Sequence, residues 1–484
     1  MNDFFDIIII GAGAVGCAAA REVSRYQVSA LVLEKESDAA FGTSGRNSAV
    51  VHAGFNNKPG SLMAKLCVEG SEGFEQVCRD LDVPYKKTGK ILAAFDEEDM
   101  ETLENMKKQG EENGCKGLCL INRSQVEELA GSIGGIGGMY SPNTAIFDPF
   151  TYCIALAENA LENGVQFSFD NEVLGISCES GGFKIRTQKG YYTCKCIVNA
   201  AGLYCDKISA MAGADQYKIY PCRGEYFILD KIAEDLSAIP LYPAPKKGIG
   251  GLGVHLTPTI DGNIIIGPSA EYIDSRTDYS VTAKIMDKLF AEARELLPKL
   301  QKKDIIGNFA GIRPKQAPPT EGGFRDFIIK EEEKIPGFIN LIGIESPGMT
   351  ASVPIARMVA GLLKNTLDMP YKNDFKSRRI GITRFRNLTV EQQNECIASD
   401  PEYGEIICRC QKVTKREIRE AIENPFGARS LSSIKYRAWP MTGRCSGGYC
   451  MSKIADMLIN EYHMKPEEIR YRSEGSQMYA GEVK

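Results

Sequence analysis

Four cysteines fall as two close pairs, Cys408-Arg409-Cys410 and Cys445 with Cys450, with thirty-four residues between Cys410 and Cys445. Two thiolate pairs brought together by a loop can each grip one end of a metal centre, and four thiolates suit either structural zinc or a [2Fe-2S] cluster. Gly447 and Gly448, inside the second pair, let the loop wrap around sulfur with its amides turned inward. Arg409, Lys412, Lys415, Arg416, Lys435, Arg437 and Arg444 surround the motif. Their charge would offset that of a thiolate-bound cluster, or form a solvated or docking face. A third C-x-C, Cys194-Lys195-Cys196, lies in a predicted strand with no second pair nearby, where residues i and i+2 share a face, so it reads as two packed cysteines. Sixteen cysteines without an export signal point to a reducing cytoplasm.

A second constellation opens the chain. Gly11-Ala12-Gly13-Ala14-Val15-Gly16 fits G-x-G-x-x-G, and Glu34 follows eighteen residues after the last glycine. The first glycine permits a tight turn, the second lets a pyrophosphate approach the backbone, and the third lets helix and strand pack closely, while the acid can accept from a ribose hydroxyl. The hexad alone is a weak signal in a chain with 48 glycines, but its placement between a strand and a helix makes it a dinucleotide site. It does not distinguish FAD from NAD. Only three histidines exist, His52, His255 and His463, and histidine is the side chain best matched to taking a hydroxyl proton near neutral pH. Arg313 stands in a glycine-proline turn, where its planar fork suits a carboxylate or phosphate.

The elements that must position these groups follow from the apolar pattern. Asp6 to Ile10 reads as a strand, Cys17 to Ser24 as a helix and Ala30 to Glu34 as a strand, one β-α-β unit. Cys194 to Asn199 is a strand running into Ala200, Ala201 and Gly202, a further glycine turn at the edge of a nucleotide site. Leu62 to Leu81, Asp99 to Asn113 and Thr151 to Asn163 read as amphipathic stretches. From about Tyr220 to Arg276, short apolar runs broken by Gly and Pro suit an antiparallel sheet over a substrate pocket. Strand, turn and helix return over Leu341 to Leu363. The segment from about Lys364 to Asp400 is polar and basic and reads as a connector. His463 reads as a surface residue.

Taken in order, several motifs resemble the FAD-dependent glycerol-3-phosphate and L-2-hydroxyglutarate dehydrogenases, which share a D-amino-acid-oxidase-like fold. They are Gly42-Thr43-Ser44-Gly45-Arg46-Asn47-Ser48, Val51-His52-Ala53-Gly54, Lys58-Pro59-Gly60-Ser61-Leu62, Gly251-Leu252-Gly253-Val254-His255, Gly311-Ile312-Arg313-Pro314 and Gly343-Ile344-Glu345-Ser346-Pro347-Gly348-Met349-Thr350. The resemblance spans residues 5 to about 365 and implies FAD in the fingerprint, with Val173 against the adenine. It implies His52 as the base, and Arg313 with Ser346 on the substrate anion. His255 faces the pocket and is the second candidate for the base. Thr43, Ser44, Arg46, Asn47, Ser48, Gly311, Gly343, Gly348, Met349 and Thr350 would meet the flavin, where amides of the Gly343 to Thr350 turn stabilise the negative charge of its reduced form. Glu405 to Cys450 resembles the bacterioferritin-associated-ferredoxin-type [2Fe-2S] domain, which implies iron ligation by Cys408, Cys410, Cys445 and Cys450.

The expectation is an α/β fold in which a FAD-binding Rossmann-like domain is interleaved with an antiparallel-sheet substrate domain over residues 1–367. A connector over 368–402, a [2Fe-2S]-binding domain over 403–460 and a C-terminal tail over 461–484 follow. Hydrophobic and charged contents of 43% and 25% and a net charge of -5 are those of an ordinary globular protein and give no sign of a nucleic-acid binder. No run approaches the roughly 18 apolar residues of a membrane span, so a peripheral membrane contact is the most the sequence allows. The functional expectation is a dehydrogenase for a small anionic secondary alcohol, with electrons leaving FAD through the cluster to a protein subunit. Glycerol 3-phosphate is favoured over L-2-hydroxyglutarate. Oxidation of an amine or imino acid, and a non-catalytic redox-sensing or electron-carrying protein, are the alternatives.

Overall fold

A computed structural model describes residues 4–131, 133–231, 238–245 and 253–481. Gly251 and Leu252 of the Gly251 to His255 motif lie outside the described residues.

The strand Phe4–Ile10 carries four consecutive isoleucines that are buried on both faces, as expected of a central strand covered on both sides. It runs parallel to Ala30–Leu33 on one side and to Gly190–Asn199 on the other. Gln166–Ser168 and Phe338–Ile342 extend this parallel core. The hairpin Val173–Glu179 and Gly182–Thr187, with Ile328–Glu331, completes eight strands. Against one face lie the helices Ala14–Val23, Pro149–Glu162 and Ser352–Leu363, whose contact residues are largely alanines. Small side chains let them approach closely. At Gly16 the approach is tightest, because a Cβ there would sit 1.9 Å from the Gly11 carbonyl oxygen.

Cys194 and Cys196 are both buried and stand opposite Phe5 and Ile7 in an unbroken parallel register, as two packed cysteines. Their strand pairs with Gly182–Thr187 up to Cys194 and with Phe338–Ile342 from Ile197.

The second sheet has nine strands and reaches well beyond residues 220–276, recruiting Lys90–Ala94, Cys119–Asn122, Gly137–Ser141 and Ile305–Lys315. It is antiparallel except where Leu241–Pro243 runs parallel to Lys90–Ala94. The helix Ala283–Leu296 covers it through Leu289, Ala293 and Leu296. Ile305–Lys315 and Tyr220–Leu229 form its longest pair and carry Arg313 to the boundary with the parallel sheet. Among the described residues no helix is long and apolar enough to cross a membrane.

At the C-terminus a two-stranded ribbon, Ile406–Cys408 with Val413–Thr414, and the helices Lys415–Ile422, Leu431–Ala438 and Cys450–Asn460 enclose their own core of Ile407, Ile418, Ile422, Leu431, Ile434, Ile454 and Leu458. Thr414 and Glu417 form a capping box that starts the first of these helices.

Residues 368–402, read from composition as a connector, are docked along their length. Arg379 pairs with Glu158 at 2.6 Å, Arg384 with Asp148 at 2.9 Å and Lys376 with Glu162 at 3.1 Å, all on or next to Pro149–Glu162. Arg21 and Asn159 donate to the carbonyls of Ser377 and Lys376. Met369 and Phe385 are its buried apolar anchors, but they follow no apolar period, so the segment reads like a linker. The tail is likewise engaged: Ile469 joins the C-terminal core, Ser473 donates to Glu36 at 2.5 Å and Arg472 donates to the Phe41 carbonyl.

Arg437, only 6% exposed, bonds both oxygens of Asp38, 1% exposed. Arg437→Ala should therefore destabilise the protein by about 3 to 5 kcal/mol, because an uncompensated carboxylate stays buried. Denaturant unfolding of the cofactor-free protein measures this, and a loss below about 0.5 kcal/mol, the range of an ordinary surface change, would show that the pair does not hold the C-terminal module in place.

Candidate functional site

Between the two sheets lies a cavity of about 970 Å³. At one end Glu34, Val173, Ala201 and Gly202 line it, in the middle Gly11, Gly13, Thr43, Ser44 and Arg46, and at the far end Asn47, Ser48, His52, His255, Gly311, Arg313, Ser346, Gly348 and Met349. Gly16, Gly343 and Thr350 stand behind the wall. Thr350 is buried and its Oγ1 accepts the His52 amide proton at 3.1 Å. Gly343 adopts φ +67° and is so close to Gln316 that a Cβ would overlap it at 2.1 Å.

The nucleotide end is built to receive an anion. Gly11 holds φ +107° with its Cα against the Ala200 carbonyl, where a Cβ would stand 2.6 Å from that oxygen. The helix Ala14–Val23 starts at Gly13 with no side-chain cap from its own N-cap residue, leaving its positive end to the cavity. Ser44 Oγ accepts the Ala14 N–H at 2.9 Å. Glu34 accepts from the amides of Ala12 and Glu36 at 2.6 and 2.9 Å, and burial raises its pKa despite both bonds. A carboxylate oxygen with one bond can still accept a second, so ribose binding remains open to it. A long cleft with a helix N-terminus, a glycine turn and a placed acid fits FAD. Thr43 donates to the Ile312 carbonyl and Asn47 to that of Ser44, each at 2.7 Å, fixing the loop along the wall. Gly311 allows that loop close, since a Cβ would meet the Arg46 carbonyl at 2.1 Å.

At the far end the charge is positive. The guanidinium of Arg313 donates to the Ser269 carbonyl at 3.1 and 3.2 Å, and no described carboxylate is ion-paired with it. Lys315, on the same strand face, binds Glu345 at 3.1 Å, and both are buried. Burial pushes Glu345 up to about 7, against the pull of Lys315. Burial, and then the Lys90 ammonium, push His52 down to about 3, and His255 is driven well below its ordinary value by burial and the charges of Lys90, His52 and Arg313. Both imidazoles are thus neutral near pH 7. His255 stacks on Tyr242 with ring centres 3.7 Å apart, and its Nδ1 has no hydrogen-bond partner.

Lys315, Glu345, Tyr242 and Lys90 are not singled out by the sequence reading. Lys315 was legible, because it stands two residues from Arg313 on one strand and so shares its face. Glu345 stands inside a quoted motif. Lys90 and Tyr242 left no local signal, since they meet only through the pairing of Lys90–Ala94 with Leu241–Pro243.

His463 is exposed. Cys410 and Cys445 bring their sulfurs to 3.4 Å, and Cys408 and Cys450 form a second thiol pair that is buried. Amides of Gln411, Met441 and Cys410 point at the Cys408 sulfur, that of Met441 also at Cys450, and those of Gly447 and Tyr449 at Cys445. Among the described residues no three metal-ligating side chains converge on one point. Two thiol pairs ringed by amides fit a dinuclear cluster better than a single ion.

The family model described as FAD dependent oxidoreductase matches residues 6–362, and that of the BFD-like [2Fe-2S] binding domain matches residues 406–460. A glycerol 3-phosphate dehydrogenase of Caloramator mitchellensis is 38% identical over 483 residues, covering 99% of both chains. An L-2-hydroxyglutarate dehydrogenase of Indibacter alkaliphilus is 30% identical, covering 73% of this chain and 98% of its own. The dithionite-reduced L-alpha-glycerophosphate oxidase of Mycoplasma pneumoniae with FAD bound superposes with a TM-score of 0.73 at 28% identity, over 78% of this chain and 98% of its own. FAD and a [2Fe-2S] cluster are therefore the cofactors of this chain, and it is an enzyme.

Lys90 is fully buried, with its ammonium 4.6 Å from the Phe55 ring centre and 4.4 Å from that of Tyr242. Burial lowers its pKa from 10.5 to about 7. The unfolded chain gains its proton as pH falls through 10.5 and the folded chain only near 7, so the cost of burying Lys90 grows over that window and is complete below it. Lys90→Met should stabilise the protein at pH 7 by a few kcal/mol, on the order of 3 to 5, and by little at pH 10.5. Denaturant unfolding at both pH values tests this. Equal gains at the two would mean that packing, not charge, is responsible.

Proposed function

The chain belongs to the FAD dependent oxidoreductase family, and we propose that it oxidises glycerol 3-phosphate to dihydroxyacetone phosphate and passes the electrons through the [2Fe-2S] cluster to an acceptor protein. The observation that carries this reading is the match to a glycerol 3-phosphate dehydrogenase over 99% of both chains, where the match to a hydroxyglutarate enzyme covers 73% of this chain. The paired cysteines extend that match to the electron exit. The division of labour proposed is a flavoenzyme body over 1–367, a cluster module over 403–460, and straps over 368–402 and 461–484.

In this reading Arg313 receives the substrate phosphate with its fork, supported by Lys315 and with Ser346 nearby. Arg313 is held by a carbonyl and not by a carboxylate, so its charge remains available to an incoming anion. His52 accepts the hydroxyl proton on its imidazole nitrogen, and His255 is the alternative acceptor. FAD, when bound, supplies the hydride acceptor. A neutral imidazole whose pKa is depressed is a weak base in the empty site. An anionic substrate beside it favours the imidazolium and so strengthens the base at the moment it is needed. Thr350 fixes the His52 backbone, and the Phe55 and Tyr242 rings lie against the Lys90 ammonium.

Anaerobic stopped-flow reduction of the flavin tests substrate and roles together. Glycerol 3-phosphate should bleach the flavin at a lower concentration and a higher plateau than L-2-hydroxyglutarate, and the reverse order would transfer the assignment to the second substrate. His52→Ala should lower the plateau roughly 10²- to 10⁴-fold with FAD fully bound. Arg313→Lys keeps the charge but loses the fork, and should mainly raise the half-saturating concentration, by about 1.5 to 3 kcal/mol. A wild-type plateau in His52→Ala would move the base to His255.

A further inference from the structure

The four cluster thiols are not equivalent. Cys408 and Cys450 are each 1% exposed, whereas Cys410 and Cys445 are exposed. The buried pair sits in the module's own core, next to the segment that contacts the flavin-binding body. Met441, whose amide points at both buried sulfurs, follows Trp439 by two residues, and the Trp439 ring meets Phe150 edge-on at 5.7 Å. Phe150 stacks on Tyr436 at 4.0 Å and lies against Gly45, where a Cβ would stand 3.1 Å from its ring. Packed protein therefore joins the 42–48 loop of the cavity wall to the inner thiol pair.

The outer pair has different surroundings. Arg409 and Lys412 are exposed on the ligand loop itself. The Arg409 guanidinium sits 4.3 Å over the Tyr449 ring and the Lys453 ammonium 5.3 Å from the same ring. No described carboxylate forms an ion pair with Arg409, Lys412 or Lys453, whereas Arg444 pairs with Asp230. Asp456, one turn beyond Lys453, is the nearest exposed acid along that helix. The loop is braced from behind, with buried Gln411 accepting from Lys231 at 3.1 Å and from Arg386 at 2.7 Å. A rigid, cationic rim around the solvent edge of a one-electron centre gives a charged partner both a target and an orientation.

We infer that the Cys410 and Cys445 edge, rimmed by Arg409, Lys412 and Lys453, is the docking face for a small acidic one-electron carrier protein, and that the Cys408 and Cys450 edge faces the flavin. This rests on the electron exit in the proposed function and adds the face and the partner's chemistry. Oxidation of one alcohol to a ketone releases two electrons and two protons. Two oxidised carriers each take one electron, both protons pass to solvent, and no bond to the carrier forms.

The test uses the full-length holoprotein reduced anaerobically with dithionite, so that a wrong substrate assignment leaves it intact. Stopped-flow reoxidation of the cluster by anionic ferricyanide and by cationic tris(phenanthroline)cobalt(III) is followed by visible absorbance, and binding of purified flavodoxin, a small acidic carrier, by calorimetry. Added salt should slow ferricyanide and speed the cobalt complex. Arg409→Glu with Lys412→Glu should lower the ferricyanide rate on the order of 10-fold, raise the cobalt rate, and abolish flavodoxin binding. If that variant loses the cluster absorbance, Lys453→Glu provides the same comparison from the neighbouring helix. Ferricyanide rates indifferent to salt and to charge reversal, as for an edge covered by a permanent apolar subunit, overturn the proposal. So does flavodoxin binding that is absent, or unchanged in the variant.

Discussion

Asp38 and Arg437 stand 399 residues apart in the chain and meet with almost no solvent access. Asp38 also accepts the Ala39 amide at 2.8 Å, and so fixes the start of the segment that runs through Phe41 into the loop along the cavity wall. That segment links Glu34, at the nucleotide end, to residues 42–48, at the flavin end. It is held from outside by the C-terminal module and tail: Arg437 grips Asp38, Arg472 of the tail caps Phe41, and Tyr436 packs edge-on to Phe41 at 5.5 Å. The cluster module therefore forms part of the cofactor site's scaffold. A two-electron centre and a one-electron centre need a fixed separation, and a buried ion pair is a directional way to set one, because any slip leaves a charge in a medium that cannot solvate it.

The legible part of the molecule was the part written in short spacings. FFDIIII, the glycine hexad and Glu34 specify a strand, a turn, a helix and an acid within thirty residues, and the structure assembles them at one end of a single cleft. The cysteine pairs are local signals of the same kind. What escaped depends on contacts between distant segments. Residues 368–402 have the composition of a linker, and only the carboxylates of Pro149–Glu162 turn their arginines into anchors. Lys90 resembles any strand lysine until Leu241–Pro243 brings Tyr242 over it.

The far end of the cavity has more positive than negative charge in a poorly solvated space. Arg313 and Lys315 face one carboxylate, Glu345, whose burial already raises its pKa to about 7, and the Lys90 charge acts on both histidines from behind the lining. Such a set is unfavourable when empty, since each cation disfavours the others and holds both histidines neutral. A bound anion relieves that repulsion, so part of the stability given up in the fold returns as affinity for an anionic ligand.

This arrangement bears on how one scaffold could serve both glycerol phosphate and hydroxyglutarate. Each substrate brings about two negative charges and a secondary hydroxyl, so net charge alone does not separate them. Phosphate concentrates its charge on one tetrahedral group, which the adjacent Arg313 and Lys315 can meet together from one strand. A dicarboxylate spreads its charge over two planar groups several bonds apart and needs a second cation across the pocket. Lys90, packed against the rings of Phe55 and Tyr242, is not among the residues that line the cavity, and the other lining cations, Lys35, Arg46, Lys207 and Lys288, come from other segments than the Arg313 strand. The pair that Arg313 and Lys315 bring from this strand is gathered on one side of the cavity, which supports the compact anion of the proposed function.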